Sequence, residues 1–445
     1  MIDFLFIILF ITVPVIVHHL LKLSGASIFR FSIPSFVILA MLFFAYAGIF
    51  PLYFGWDEYR YYMGVQNKEV ILKMFACSSW TIVTMVLGFN FCRHILNFRF
   101  YLVSTGLRSF TCREKIITFT LFSVCLIVLA VYLSKLPSIA LFVVMNKLGT
   151  DEIGAARSLM GNDFAGKLHW YNLFMRDALN VVTFAFFANW LVKKGKINFI
   201  FFLLSALAAS FSAIMATEKG PFAWFLIGLF LVHVFVVSRG VYPIKSIVKL
   251  AFCLLSFLVV FYLNFMGSTE IGSALLSVLS RAITGGIDPA YFYLEHFPKS
   301  EDFLLGQSLP NPGGLLPFTP YPLTKEASLW MIPDNALKGI VGSAPTVFWA
   351  ELYANWGMYG VLLIPFIIGI GLYSISAFVN KLECNPLKVG LMVWLALHLK
   401  NLSESGISEF LVDTSLTVIL ALVLLMTFLA NKCRFKIKGY NWGTY

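Results

Sequence analysis

Residues 347–379 read VFWAELYANWGMYGVLLIPFIIGIGLYSISAFV, the longest of eleven apolar stretches that we identify along the chain. At a rise of about 1.5 Å per residue, a helix of this length exceeds the roughly 30 Å hydrocarbon core of a bilayer. We therefore expect its first turns to project from the membrane, or the helix to be broken at Gly357 or Pro365.

The rest of the chain has the same apolar character. Of its 445 residues, 59% are hydrophobic and only 12% are charged. Soluble domains carry about 25% charged residues, so most of this chain must face lipid or pack against other membrane helices. We predict an all-α polytopic membrane protein, with residues 1–445 forming a single transmembrane bundle.

The apolar stretches predict about 11 transmembrane helices, within a range of 10–13. We place them at residues 4–21, 33–54, 70–91, 115–134, 170–192, 197–217, 221–238, 249–266, 347–379, 387–402 and 410–430. The first lacks the basic n-region of a signal peptide, so we interpret it as a span. Segment 137–148 is too short to cross the membrane, and we expect it to lie in the interface or to re-enter.

The basic residues predict the orientation. If the loop 22–32 is cytoplasmic and the loops alternate, nineteen of the 33 Lys and Arg residues fall inside, with only two acidic residues beside them. Because cytoplasmic loops carry excess Lys and Arg, we expect the N-terminus outside and the C-terminus inside. The net charge of +11 therefore reflects topology and does not indicate nucleic acid.

Neither a metal nor a cofactor is indicated by the sequence. No Cys and His spacing is typical of a zinc site, and no Walker or Rossmann motif is present. An ATP-driven machine is therefore not expected.

Two long loops are predicted on the outer side, at residues 135–169 and 267–346. The second holds nine of the seventeen prolines and many aromatic residues. Loops of this length are functional or disordered, and disordered segments are poor in aromatic residues. We therefore expect 267–346 to form an ordered extracytoplasmic cap over the bundle, with a helix at 271–283.

Basic residues on the outer side run against the positive-inside bias, so each needs a reason. Arg side chains and helix N-termini bind phosphate groups, and a lipid pyrophosphate would supply that reason. The alternatives are ion pairs, tight turns and solvated loop charges. We assign the pyrophosphate-binding role to Arg157, Arg176, Lys219 and Arg281.

Candidates for acid–base chemistry also lie in the outer segments. We select Glu351 first, because helical spacing places it on one face with Asn355 at the mouth of a span; His296 and Asp288 are the alternatives. A further polar set either lines the same cavity or pairs internally: His398, Lys400, Asn401, Glu404, Glu409 and Asp413.

Three stretches together resemble a known family. They are ATEKGP at 216–221, GGIDPAYFYLEHFPKSEDFLLGQSL at 285–309 and GSAPTVFWAELYANWGMYGVLLIPFIIGIG at 342–371. With an Arg just before the second, they resemble the O-antigen polymerase (Wzy-type oligosaccharide repeat-unit polymerase) family. These are bacterial inner-membrane enzymes with many spans and large periplasmic loops.

The resemblance implies a glycosyltransferase of polysaccharide biosynthesis. A growing glycan on undecaprenyl pyrophosphate would be transferred to a new lipid-linked repeat unit at the periplasmic face. Arginines in periplasmic loops are hallmarks of the family, and Arg157 and Arg281 occupy matching positions. The implied partners are the lipid-linked oligosaccharide, the bilayer and a chain-length regulator. Sugars stack on aromatic rings, and we assign that role to Tyr291, Tyr293, Trp330 and Tyr353.

Two other functions remain open. An O-antigen ligase has a similar architecture but delivers the glycan to the lipid-A core, and His296 keeps that function possible. A transporter or flippase of lipid-linked oligosaccharide would show internal repeats and midplane polar residues. No repeat is visible, and the polar residues gather at the outer ends, so we rank transport third.

Overall fold

A computed structural model describes residues 2–95, 106–146, 150–161, 164, 166–265, 271–333 and 342–432. Within these ranges the regular structure is helical, and the pairing of Arg30 with Val241 is an isolated bridge. The chain is therefore an all-helical, polytopic membrane protein, as its apolar composition predicts.

Eight helices in the described ranges are long and apolar enough to cross a membrane. They are Ile2–Leu23, Ile33–Tyr53, Lys68–His94, Cys112–Ser134, Lys196–Ile214, Lys219–Val236, Phe348–Asn380 and Ser408–Ala430. Each coincides with one of the eleven stretches identified in the sequence.

The other three stretches are helical as well, but they are not among the eight. Residues 170–192 form successive pieces, Leu168–Asn172, a wider π turn at Leu173–Ala178, and Leu179–Val192. The remaining two correspond to Ile244–Phe265 and Pro386–Leu399. The count of eleven spans therefore stays a prediction.

The chain divides into two compact units. The first comprises Met1–Thr105, Leu226–Glu383 and Met392–Asp413. The second comprises Gly106–Phe225, Cys384–Leu391 and Thr414–Tyr445.

Helices Lys68–His94 and Phe348–Asn380 form the centre of the first unit, and small residues let their backbones touch. A Cβ atom added at Gly88 would lie 2.4 Å from the carbonyl oxygen of Phe366, and one at Gly369 would lie 2.2 Å from that of Met85. Close approach of this kind is typical of helix pairs in membranes, where dispersion forces replace the hydrophobic drive to associate. This tight pair is the support on which the candidate site is built.

The long helix Phe348–Asn380 is broken at Gly357, where φ is 60° and ψ is −148°. Such a backbone conformation is essentially restricted to glycine, and the Phe303 ring packs where a Cβ atom would stand, 2.9 Å away. The expectation of a break is confirmed at Gly357, while Pro365 lies inside regular helix.

The 267–346 segment contains ordered helices in its described part. Helix Ile271–Ile283 has the predicted bounds, and it is followed by Asp288–His296, a short turn at Pro312–Gly314, and Leu323–Met331. Helix Asp288–His296 packs against both central helices of the first unit. Residues 267–270 and 334–341 lie outside the described residues.

The second unit contains the described part of the other long loop. Its short helices are Ala140–Met145 and Thr150–Met160, and the Tyr132 hydroxyl donates to the Met160 carbonyl oxygen at 2.6 Å. The six-residue helix at 140–145 is far shorter than a span, as the sequence indicates.

Candidate functional site

The break at Gly357 creates the candidate site because it frees backbone groups. The carbonyl oxygens of Ala354 and Asn355 lie just before the break and accept hydrogen bonds from the N–H groups of Leu304 and Leu305, both at 3.0 Å. Buried carbonyl groups must find such partners. The loop that supplies them is thereby fastened to the first turns of the helix.

This fastening brings Ser308 to Glu351. The Ser308 hydroxyl donates to Glu351 Oε1 at 2.6 Å, and the Ser408 backbone N–H donates to Oε2 at 3.0 Å. Glu351 is only 4% exposed, and a buried carboxylate is stable only when donors of this kind surround it. Each carboxylate oxygen keeps lone-pair capacity beyond the one bond that it accepts here.

Asn355 fixes the direction of these bonds. Its side-chain NH₂ donates to Ser308 Oγ at 2.7 Å and to the Glu351 carbonyl oxygen, while its Oδ1 accepts from Gly306 N–H at 2.8 Å. Because Ser308 Oγ accepts a hydrogen bond from the Asn355 side-chain NH₂ group, its own hydroxyl hydrogen points to Glu351 Oε1. The predicted alignment of Glu351 with Asn355 on one helix face is confirmed.

Glu351 lies on the wall of a cavity of about 170 Å³ within the first unit. The polar lining is contributed by the 267–346 segment, the helix start and the 406–408 loop. The lining residues are Tyr293, Ser308, Tyr321, Pro322, Leu323, Thr324, Lys325, Thr346, Glu351, Gly406 and Ser408. A carboxylate on the wall of such a cavity can accept a proton from a bound hydroxyl group.

The polar set at 398–413 mostly pairs internally. His398 contacts the Asp413 carboxylate and stacks on Trp394, and Lys400 pairs with Glu404. The cavity wall receives Gly406 and Ser408 from this region. Of the two expectations for this set, internal pairing describes His398, Lys400, Glu404 and Asp413, while Glu409 is exposed.

Asp288 is buried in an ion pair with Arg60 and does not line the cavity. Burial raises the pKa of Asp288 from its ordinary value of 3.8 to about 7; the Arg60 guanidinium opposes this shift and Asp57 adds to it. Asp57 in turn accepts hydrogen bonds from the hydroxyls of Ser280 and Thr284, at 2.7 and 2.6 Å. The cluster ties helix Ile271–Ile283 and the start of helix Asp288–His296 to residues 57–60.

His296 lies behind the cavity wall. Its ring stacks on Trp330 with centroids 3.8 Å apart, and its Nε2 lies 3.7 Å from Glu301 Oε1. The other oxygen of Glu301 accepts a hydrogen bond from the Tyr321 hydroxyl at 2.7 Å. His296 therefore reaches the cavity only through Glu301 and Tyr321.

The four candidate sugar-binding aromatic residues occupy different positions. Tyr293 lines the cavity. Tyr291 and Tyr353 are buried, and their hydroxyls bond to protein groups: Tyr291 accepts from Asn67 N–H, and Tyr353 accepts from Lys73 Nζ. One face of Trp330 is covered by His296.

The four basic residues fall in both units. Arg281 belongs to the first unit and is exposed at the end of helix Ile271–Ile283. Arg157, also exposed, belongs to the second unit. There Arg176 pairs with Glu218 at 3.0 Å, and Lys219 begins helix Lys219–Val236. None of the four lines the Glu351 cavity.

Several residues of the site were missed in the sequence. Ser308, Gly406 and Ser408 meet Glu351 from loops, and Arg60 partners Asp288 from another helix. The sequence signal for Ser308 was the break at Gly357. A helix break leaves buried carbonyl groups that need N–H donors from another segment of the chain, and Ser308 lies in that segment. In the described part of the chain, no group of three or more His, Cys, Asp or Glu could hold a metal ion.

Fold and site together define a polytopic membrane protein with a buried carboxylate on the wall of a cavity. Comparison with protein-family models, with curated proteins and with solved structures finds no match.

Proposed function

We propose that this protein polymerises undecaprenyl-pyrophosphate-linked oligosaccharide repeat units into a surface polysaccharide, at the periplasmic face of the bacterial inner membrane. One observation carries the proposal: Glu351, buried and held by two donors, lies on a cavity at the broken end of an apolar helix. The resemblance of residues 216–221, 285–309 and 342–371 to O-antigen polymerases supports the same function.

The proposed reaction is a glycosyl transfer in which Glu351 acts as general base. A hydroxyl group at the non-reducing end of the new repeat unit loses its proton to Glu351. Its oxygen forms a bond to the anomeric carbon of the growing glycan, and the bond from that carbon to the pyrophosphate oxygen breaks. The pyrophosphate leaves on its lipid with the bonding electrons, and the proton passes from Glu351 to solvent.

The basic residues have the second role in this proposal. Positive groups placed where negative charge develops stabilise a transition state, and the lipid pyrophosphate is where that charge develops. Arg157 and Arg281 are exposed, Lys219 begins helix Lys219–Val236, and Arg176 lies in the π turn Leu173–Ala178, paired with Glu218. None lines the cavity, so the proposal places the pyrophosphate outside it and the accepting sugar inside.

The lining of the cavity also determines which of the aromatic residues contacts the sugar in this proposal. Tyr293 is the ring beside the sugar, while Tyr291, Tyr353 and Trp330 do not line the cavity. Asp288 and His296 lie off the cavity and are no longer needed as bases.

Deletion of the gene distinguishes the three functions. A polymerase loss leaves single repeat units attached to the lipid core, a ligase loss leaves no attached chains, and a flippase loss leaves even single units unexported. We expect the first result. Either of the other patterns would overturn the proposal.

Complementation with Glu351→Gln tests the general base. Removal of such a base lowers the rate by about 10²- to 10⁴-fold, so we expect single repeat units in place of long chains. Asp302→Asn, which changes an exposed carboxylate of the same segment, is the matched control and should restore long chains. Long chains with Glu351→Gln would remove Glu351 from the mechanism.

A further inference from the structure

Three hydroxyl groups on the cavity wall have their protons committed to partners inside the protein. Ser308 donates to Glu351, and Tyr321 donates to Glu301 at 2.7 Å. Thr346, only 2% exposed, donates to the Gly286 carbonyl oxygen at 2.8 Å. A hydroxyl has one proton but two lone pairs, so these three wall oxygens can only accept a hydrogen bond from a ligand.

The acceptors that fix these protons are themselves held in place. Glu301 lies between Tyr321 and the imidazole of His296, which is stacked on Trp330. The Tyr321 backbone N–H also donates to the Gln307 carbonyl oxygen at 2.8 Å. Because a carboxylate and a carbonyl group cannot donate, the direction of each bond is determined by chemistry and not by an assigned rotor.

Glu351 adds two more acceptor oxygens to the same wall. Lys325 is the one cation among the lining residues, and it belongs to an exposed part of the segment. The wall therefore carries several oxygens that only accept, beside the Lys325 ammonium and the Tyr293 and Thr324 hydroxyls, which can donate. A phosphate group, which carries acceptors almost exclusively, would find no partner in the accepting oxygens and would be repelled by the Glu351 carboxylate.

We propose that the Glu351 cavity is a subsite for a neutral, hydroxyl-rich sugar ring, selected by wall acceptors at Tyr321 and Thr346, and that it excludes the pyrophosphate. A pyranose supplies several O–H donors on a compact ring, which suits this acceptor-lined wall. Glu301 is a positioning residue, because it takes the Tyr321 proton and leaves the phenol oxygen free to accept. The inference rests on the proposed function and assigns the cavity to the accepting sugar.

Binding to the purified full-length protein in nanodiscs tests this inference without any polymerisation assay. The probes are methyl glycosides of glucose, galactose, mannose and N-acetylglucosamine, with inorganic pyrophosphate as competitor, monitored by saturation-transfer NMR. We expect at least one glycoside to bind and pyrophosphate not to displace it. No glycoside binding at 50 mM, or displacement by pyrophosphate, would overturn the subsite.

Two variants test the wall itself. Tyr321→Phe and Thr346→Val each remove one acceptor oxygen, which should weaken glycoside binding about three- to tenfold. The matched controls are Tyr62→Phe, on an exposed ring, and Thr120→Val, whose hydroxyl also donates to a backbone carbonyl group but does not line the Glu351 cavity. Unchanged binding in both wall variants would contradict the inference.

Glu301→Leu tests positioning, because it removes the acceptor of the Tyr321 proton and should weaken binding as Tyr321→Phe does, and the double variant should lose no more than either single one. Additive losses would show that Glu301 acts independently of Tyr321. If the deletion strain shows no polymerase defect while these binding results hold, the proposed function fails and the sugar subsite remains. If the deletion strain loses polymerisation but no glycoside binds, the proposed function stands and the sugar subsite fails.

Discussion

At the scale of single residues, the Glu351 carboxylate occupies space that is free only because residue 406 is a glycine. A Cβ atom at position 406 would lie 2.1 Å from Glu351 Oε2. In Gly406→Ala the carboxylate must leave its bond with Ser408, and overpacking of this kind costs about 1–3 kcal/mol. We expect shorter polysaccharide chains and a lower melting temperature, measured by electrophoresis of surface glycan and by thermal unfolding in detergent.

Gly272→Ala is the control for this substitution, because no atom lies within 4 Å of the added methyl group. It should leave chain length unchanged. Equal behaviour of the two alanine variants would mean that the Glu351 carboxylate has no fixed position in the working protein.

Asp288 predicts a pH dependence of stability. Its pKa is about 7 in the folded protein and lies near 3.8 when unfolded, so the folded state holds more protons between these values. The free energy of unfolding should therefore decrease as pH rises from about 4 to about 7. Asp288→Asn cannot ionise and should lack this decrease.

Melting temperatures at pH 5 and pH 8 in detergent would measure the effect. The wild-type protein should lose more stability between the two values than Asp288→Asn, while exposed Asp302→Asn should behave as wild type. Parallel curves for wild type and Asp288→Asn would show that burial does not shift this carboxyl group.

At the scale of elements, the Gly357 break is the decisive feature. Alanine at this position would have to adopt φ 60° and would meet the Phe303 ring. Strain of this kind costs about 1–3 kcal/mol, so Gly357→Ala should lower the melting temperature or straighten the helix and disperse the site. Gly371→Ala on the same helix, with open space around it, is the control.

Glycoside binding distinguishes the two possible results of Gly357→Ala, which are a strained but intact break and a straightened helix. Loss of binding in a protein that still unfolds cooperatively would indicate a straightened helix. An unchanged melting temperature together with unchanged binding would show that the break does not depend on glycine.

The positions of the helices could be predicted because a helix that crosses lipid must be long and apolar, whichever other helices it packs against. Length alone predicted that the helix projects from the membrane or breaks at Gly357 or Pro365, and the break lies at Gly357; helix Ile271–Ile283 has its expected bounds. Residues 170–192 were harder, because a π turn at Leu173–Ala178, which carries Arg176 and Asp177, divides the helix. Hydropathy does not register such a change in hydrogen bonding.

The candidate site was only partly predictable. Glu351 and Asn355 share one helix, and their spacing placed them together. Ser308 and Ser408 reach Glu351 across 43 and 57 residues, and no local pattern specifies such contacts. Asp288 and His296 are polar residues near the site in sequence, but their partners Arg60 and Trp330 hold them behind the wall.

At the scale of the whole molecule, the predicted topology can be tested with cysteine labelling. Cys112 is exposed and lies in a loop predicted to be cytoplasmic. A membrane-impermeant maleimide should therefore label it only after cells are permeabilised. Lys299→Cys, an exposed position in the predicted cap, should be labelled in intact cells. The opposite pattern would invert the topology and place the Glu351 cavity on the cytoplasmic side.

The fastening of Leu304 and Leu305 to the carbonyl groups before Gly357 has a practical consequence for hybrid proteins. A chimera that exchanges residues 303–308 alone would join a foreign loop to a native break, leaving both carbonyl groups with an ill-fitting partner. Residues 303–308 and the helix turn before Gly357 depend on each other. A chimera must therefore take both from the same donor sequence to keep the site intact.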